Sequence, residues 1–374
     1  MNRFLESGYA MPYVESRLQM FNTVSSALGA DTVFTLPTCL VAQADSLSAL
    51  KRLPSGSVSL ILTDPPYHAT KKQNITGDTS FATDDSYLDW MRQYTAEWHR
   101  ILRPNGSLFC FCDSSMSARL EIMFSEKYNV LSHIVWTKPN EPGYDGWKGK
   151  MRKEALRQWY PHSERIIFAE PAVDGNLFRS HLAMMLKSWR KQAGCSTKDL
   201  AEKIGAYGRI NHGGAVSNWE DGRNTPSREQ YKKIKDALEA TGKVSNIPPY
   251  EDAARPFFMD GKKEFTDVWT FPSVRNYCGK HPAEKPLEML RHAIEATTFP
   301  GDIVLDCFAG SGNTAIAAIE LNRLAISIEI ENRWCESLIG KLSSINSKQF
   351  VINDLPAASP AKRRNRVYQP ALDL

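Results

Sequence analysis

Four consecutive residues, Asp64-Pro-Pro-Tyr67, combine an acid, a rigid pair and an aromatic ring. They close the short β-rich run Val58-Ser-Leu-Ile-Leu-Thr63. Pro65 and Pro66 have no backbone N–H, so the strand must end there. In open α/β sheets, ligands bind beyond the carboxyl ends of the strands. An acid and a fixed carbonyl at that place suit methyl transfer to an aromatic amine. Such a nitrogen is a poor nucleophile because its lone pair is delocalised into the ring. The Asp64 carboxylate and the Pro65 carbonyl can each accept one amine hydrogen. That pair of bonds draws the nitrogen toward sp³ geometry and frees the lone pair. Pro65 and Pro66 fix where the carbonyl points. Tyr67 offers a face on which an extruded base can stack.

A second constellation, Asp306-Cys-Phe-Ala-Gly-Ser-Gly-Asn-Thr314, lies between a strand and a helix. Gly310 and Gly312 permit a tight turn and close approach to a ligand. The spacing is not the GxGxxG of dinucleotide sites. The next strand, 324–330, carries Glu329 near its end, where doubly wound folds place a carboxylate to hold ribose hydroxyls. Strand, glycine turn, helix, strand and acid describe an adenosine-type cofactor site.

The elements around these residues alternate. Strands are expected at 38–45, 58–63, 107–112, 130–137, 163–169, 303–306 and 324–330, with helices at 46–53, 86–102, 115–126, 286–298, 313–321 and 334–344. The fold class expected is α/β, a doubly wound sheet with helices on both faces and an inserted all-helical domain. Six regions follow: an extension at 1–37, a catalytic half at 38–175, a helical insert at 176–245, linker and recognition loops at 246–280, a cofactor half at 281–345, and a basic tail at 346–374 expected to be disordered. Within the extension only an amphipathic helix near 13–28 suggests itself.

The chain has 374 residues, 42% hydrophobic and 24% charged, as in globular proteins. No apolar run approaches a membrane span, and 1–19 contains no signal-peptide core. The seven cysteines lack zinc spacing and read as reduced thiols, so neither a metal nor a membrane is expected and the location expected is cytoplasmic. A net charge of +4 is too small to prove a nucleic-acid partner, so the case rests on sites.

With those sites in hand, the chain resembles the amino-methylating DNA methyltransferases of bacteria and phage. The resemblance rests on Asp64-Pro-Pro-Tyr67, on Asp306-Cys-Phe-Ala-Gly-Ser-Gly312 and on His281-Pro-Ala-Glu-Lys-Pro286, over about 38–170 and 278–345. The order, catalytic loop before glycine loop, is that of the family's β group. The resemblance implies S-adenosylmethionine as cofactor and double-stranded DNA as substrate, and it allows a homodimer. It implies that Asp306, Phe308, Ala309, Gly310, Ser311, Gly312, Asn313 and Thr314 line the cofactor, that Glu329 binds its ribose, that Asp45 lies near its adenine, and that Lys285 contacts it. Asp64, Pro65, Pro66 and Tyr67 are implied as the catalytic set. An acid at the first catalytic position favours adenine N6 over cytosine N4.

The β group carries its target-recognition segment between the halves. Here that segment resembles a Cro-like helix-turn-helix, through Arg190-Lys-Gln-Ala-Gly194, Ser196 to Gly205 and Val216 to Arg223. Residues 187–243 hold 12 Lys and Arg against 7 Asp and Glu. Ser217, Asn218 and His212 would reach base edges, and Arg223 and Arg228 phosphates. The turn 206–214 is longer and richer in glycine than this motif normally has, which adds Arg209 and Asn211 as candidates. A DNA-binding regulator with little or no methylation is the competing reading, and RNA methylation a third. His162 and Glu164, near a strand start, are read as structural because this reaction needs no histidine base.

Overall fold

The computed structural model describes residues 11–68, 81–139, 153–157, 159, 162–173, 180–206, 214–259 and 265–349. Its strands are β1 (Thr32–Leu36), β2 (Cys39–Gln43), β3 (Val58–Thr63), β4 (Leu102–Cys112), β5 (Tyr128–Thr137), β6 (Ser163–Pro171), β7 (Val268–Thr270), β8 (Ile303–Asp306) and β9 (Leu324–Glu329). They form one sheet in the order β1-β2-β9-β8-β3-β4-β6-β5-β7. The five strands from β2 to β4 in that order run parallel. The sheet is mixed, because β6 is antiparallel to both β4 and β5.

The helices are α1 (Met11–Leu28), α2 (Ser46–Leu50), α3 (Asp84–Ile101), α4 (Ser117–Phe124), α5 (His181–Ala193), α6 (Thr197–Ile204), α7 (Gly214–Glu220), α8 (Arg228–Glu239), α9 (Tyr250–Ala253), α10 (Leu287–Thr297), α11 (Asn313–Glu320) and α12 (Asn332–Gln349). Successive strand residues point to opposite faces. Leu40, Cys110, Leu305 and Ile326 pack with α1 to α4. Val41, Phe109, Val304 and Ala325 pack with α10 to α12. Buried on both faces, the central strands are mostly apolar, interrupted by small buried serines such as Ser59 and Ser327.

The chain leaves β8 through α11 to β9 on one side and leaves β3 through α3 to β4 on the other. The β8/β3 boundary is therefore the switch point of the sheet, where ligand crevices form. Asp64 and Asp306 leave the sheet there, side by side.

Two sequence expectations change. Of the stretch 1–37, residues 11–36 are integrated rather than appended: α1 packs on the sheet through Val14, Phe21, Val24 and Leu28, and β1 pairs with β2. Residues 246–280 also contribute structure, α9 and the edge strand β7 beside β5. The alternation Thr32-Val-Phe-Thr-Leu36 was the missed signal for β1. At three residues, β7 is too short to show a period.

Helices α5 to α8 enclose a core of their own, around Leu186, Leu200, Val216, Trp219 and Ile234. Ser196 and Asp199 cap α6 reciprocally, Gly205 ends it with φ 65°, and Arg190 clamps Glu220 at 2.5 and 2.8 Å.

The helical segment joins the sheet through a buried polar cluster. Arg103, at the start of β4, donates to Tyr13 Oη at 3.1 Å and to Asp252 Oδ1 at 2.5 Å. Tyr13 in turn donates to Asp302. Asn105 donates to the carbonyls of Glu251 and Ala254, both at 3.0 Å. Arg103 is 6% exposed, so removing it takes the cation from the buried Asp302 and from the part-exposed Asp252. Arg103→Met is expected to cost about 3–5 kcal/mol, read as a lower midpoint in thermal unfolding.

Candidate active site

Asp306 braces the floor of the site. Its carboxylate accepts from Thr63 Oγ1 at 3.0 Å, Thr314 Oγ1 at 2.7 Å and the Phe308 amide at 3.2 Å. Burial pushes its pKa up to about 6 against those bonds. The glycine loop is thus stapled to the strand end of β3. Gly310 and Gly312 have φ 47° and 76°, the left-handed region that favours glycine. A Cβ on Gly310 would lie 3.0 Å from the His281 ring.

Glu329 ends β9 beside this loop. Its two oxygens accept from the amides of Gly310 at 2.8 Å and Glu331 at 2.9 Å, so the buried carboxylate has a fixed orientation. Asn313 Nδ2 donates to Glu284 Oε1 at 3.0 Å and to the Lys285 carbonyl at 2.9 Å, holding the 281–286 segment over the loop. Asp45 caps α2 through the Ser48 amide at 2.9 Å. These elements bound a cleft of about 460 Å³, a size that suits a small-molecule ligand. Trp90, Tyr94, Phe308, Glu329, Ile330 and Trp334 line one part of it, and Asp64, Pro65, Tyr67, Phe111, Lys138 and Glu164 another.

The second part is an ionic relay. Lys285 Nζ lies 2.5 Å from Asp64 Oδ2 and 3.3 Å from Glu164 Oε2. Lys138 Nζ lies 2.9 Å from Glu164 Oε1, and Tyr67 Oη donates to Glu164 at 3.3 Å. Asp64 Oδ1 is buried and has no hydrogen-bond partner among the described residues. A buried acceptor left unsatisfied is costly, and this one lines a cleft that can admit a donor.

The charges are set by this packing. Burial raises the Asp64 pKa, with Lys285 opposing. Burial also pushes Glu164 up, but Lys285 and Lys138 outweigh it and hold the acid at about 2. Lys285 stays charged because Asp64 and Glu164 outweigh its desolvation. Ionised Asp64 is the stronger acceptor and the only form that offsets charge growing on the amine, so activity that depends on it is greatest above its pKa and falls as pH drops through it. Lys285→Met removes the opposing cation and is expected to move the acid limb of the kcat–pH profile upward. Glu164→Gln removes a neighbouring anion and is expected to move it downward. Opposite shifts would establish the relay, and parallel ones would contradict it.

The structure gathers Asp64, Pro65, Pro66, Tyr67, Asp45, Asp306, Phe308, Ala309, Gly310, Ser311, Asn313, Thr314, Glu329 and Lys285 around the one cleft. Gly312 caps α11 behind the loop. Lys285 lines the cleft with its ammonium on the Asp64 carboxylate, because two buried acids draw it inward. Glu164 differs from expectation. The strand pairing Trp136↔Glu164 puts it at the cleft end of the sheet, a consequence of antiparallel β6 that reading one strand alone does not show. Lys138, Trp90, Tyr94 and Trp334 were also missed, since each reads as an ordinary surface or core residue.

Arg209, Asn211 and His212 lie outside the described residues. Ser217 and Asn218 are partly exposed on α7. Arg223 is 72% exposed at its side chain, 3.9 Å from Asp221. Arg228, expected on phosphates, instead pairs with Glu251 and covers the Tyr250 ring at 5.6 Å, at the joint with the sheet. Among the described residues no group of His, Cys, Asp and Glu could hold a metal, and no helix is long and apolar enough to cross a membrane.

Residues 58–340 match the model of the DNA methylase family that acts at N6 and N4 amines. The chain belongs to that family. The methylase is 28% identical over 302 residues to the DNA adenine methyltransferase YhdJ of Escherichia coli K12, covering 80% of each chain. It is 24% identical over 340 residues to the type II methyltransferase M.BglII of Bacillus subtilis, covering 87% of this chain and 75% of that one. In three dimensions it is similar to the PvuII DNA methyltransferase, cytosine-N4-specific, with a TM-score of 0.50 and 16% identity over 86% of this chain and 95% of that one. That likeness shows a shared fold. The methylase is a DNA methyltransferase whose methyl donor is S-adenosylmethionine, and the residues lining its cleft, the buried Glu329 carboxylate, Gly310 and the aromatic Trp90, Tyr94, Phe308 and Trp334 among them, are of types that fit that donor.

Proposed function

We propose that the methylase modifies the N6 amine of adenine in double-stranded DNA, in a base turned out of the duplex. The observation that carries this reading is the buried, unpartnered Asp64 Oδ1 on a strand end rigidified by Pro65 and Pro66. Glu329, Asp45, Phe308 and Gly310 hold the cofactor, and Trp90, Tyr94 and Trp334 wall it from water. S-adenosylmethionine supplies an electrophilic methyl group. Asp64 Oδ1 accepts one hydrogen of the amine and the Pro65 carbonyl accepts the other, which localises the nitrogen lone pair; once the nitrogen has taken the methyl group from sulfur, it sheds one proton by way of Asp64 to solvent. Tyr67 stacks on the base, and Lys285 holds the Asp64 carboxylate in place. A base edge must leave the duplex to reach such a site.

Adenine is favoured by the acid at position 64 and by the relative from Escherichia coli, which is an adenine methyltransferase. Cytosine N4 presents the same two amine hydrogens to the same acceptors and is the second reading. Expression in a host without such methylation, followed by nucleoside analysis of its DNA, separates them: N6-methyladenine is expected, and N4-methylcytosine would replace this reading with the second. We read α6 and α7 as a helix-turn-helix pair that binds duplex DNA, supported by the basic excess of 187–243 and the partly exposed polar side of α7 at Ser217 and Asn218.

A further inference from the structure

The helical segment and the cleft occupy opposite ends of the sheet. The cleft lies beyond the carboxyl ends of the parallel strands, at Asp64, Asp306 and Glu329. The side-chain anchors of the helical segment among the described residues lie at their amino ends. Arg103 and Asn105 open β4 and bind Glu251, Asp252 and Ala254. Phe299, just before β8, packs on Tyr250 and Phe258. Glu170, at the end of antiparallel β6, accepts from Arg255 at 2.6 Å. Arg103 directly follows Leu102, the partner of Val58, and Val58 precedes Thr63 by five residues, which at about 3.3 Å each is roughly 17 Å along β3. The helices stack beyond that point.

Duplex DNA is stiff over about 150 bp. A short duplex that delivers a base to the cleft runs across the carboxyl end of the sheet and does not turn back around its edge. The helical segment nevertheless carries an excess of positive charge, 12 Lys and Arg against 7 Asp and Glu over 187–243, with Lys198, Lys203 and Arg223 exposed. We propose that helices α5 to α8 hold a second DNA segment, separate from the stretch that carries the methylated base. The proposal rests on reading these helices as DNA-binding. It makes the segment an operator-type or tethering module, and leaves the context of the methylated base to be read at the carboxyl end of the sheet.

The test uses the full chain, a duplex of about 20 bp carrying the sequence mapped as methylated, and a labelled pool of genomic duplex fragments. The Lys198→Glu/Lys203→Glu variant takes the charge excess of 187–243 from 5 to 1 and touches nothing near the cleft. With the cleft saturated by unlabelled short duplex, the wild type is expected to retain pool fragments in a gel shift, and the variant to retain roughly tenfold fewer. The variant is expected to methylate the short duplex within about twofold of the wild-type rate, since those phosphates lie elsewhere. A large rise in KM for the short duplex in the variant would place the helices on the methylated stretch and overturn the proposal. Failure of the saturated wild type to retain any fragment would also overturn it, while methylation of the short duplex would still report on the proposed function separately.

Discussion

Asp64→Ala is expected to lower methyl transfer by about 10³-fold, close to 4 kcal/mol of transition-state stabilisation, while S-adenosylmethionine binding stays within about twofold. The amine nitrogen gains positive charge as it is methylated. An anionic acceptor within hydrogen-bond reach is worth most at that moment, because the cleft is buried and charge interactions there are little screened. The fold should tolerate the change. Lys285, which loses Asp64, keeps Glu164 at 3.3 Å, so no ammonium is left buried without a partner. Asp64→Asn retains an acceptor oxygen without the charge, and its loss is expected to fall between alanine and wild type. Initial rates together with isothermal titration of the cofactor check both parts. A variant that lost cofactor binding in parallel with activity would assign Asp64 to the cofactor instead.

Gly312→Ala is expected to damage cofactor binding and stability together. The residue has φ 76°, and a Cβ there would lie 2.0 Å from Leu338 Cδ1. Leu338 is fully buried in α12, so it cannot swing into solvent. Backbone strain of about 1–3 kcal/mol adds to overpacking of similar size, for a total of roughly 2–6 kcal/mol. The structure can yield only by moving the loop toward the cleft or by lifting α12. Either displaces the Gly310 amide that fixes Glu329. A fall in thermal midpoint of several degrees and a cofactor Kd raised at least about tenfold are the expected results. Gly312→Ala/Leu338→Ala relieves the clash but not the φ strain, and should recover part of the binding. An alanine variant with wild-type affinity would show that the loop adapts freely.

Much of this architecture was legible because chemistry-bearing residues sit at strand ends. Pro65 and Pro66 mark the end of β3 unmistakably, and two glycines followed by a helix mark the end of β8. Those two signals place the catalytic and cofactor loops whatever the order of the strands. What was not legible depends on pairing. Glu164 reads as the start of an ordinary strand until β6 is known to run antiparallel beside β4 and β5, which carries that start to the cleft. Lys285 reads as a free cation until its two acids are brought to it from separate strands. The placement of α5 to α8 was hidden for the same reason: the segment follows β6, and only the direction of β6 sends it to the far end of the sheet.

The central claim is that the acceptor pair at Asp64 and Pro65 activates an exocyclic adenine amine. The most direct test is transfer of labelled methyl from S-adenosylmethionine to mixed-sequence duplex DNA by the purified chain, with nucleosides separated afterwards. Label in N6-methyladenine, abolished by Asp64→Ala, is the result predicted here. Label absent from every base while the cofactor still binds, or persisting in N6-methyladenine after Asp64→Ala, would contradict it.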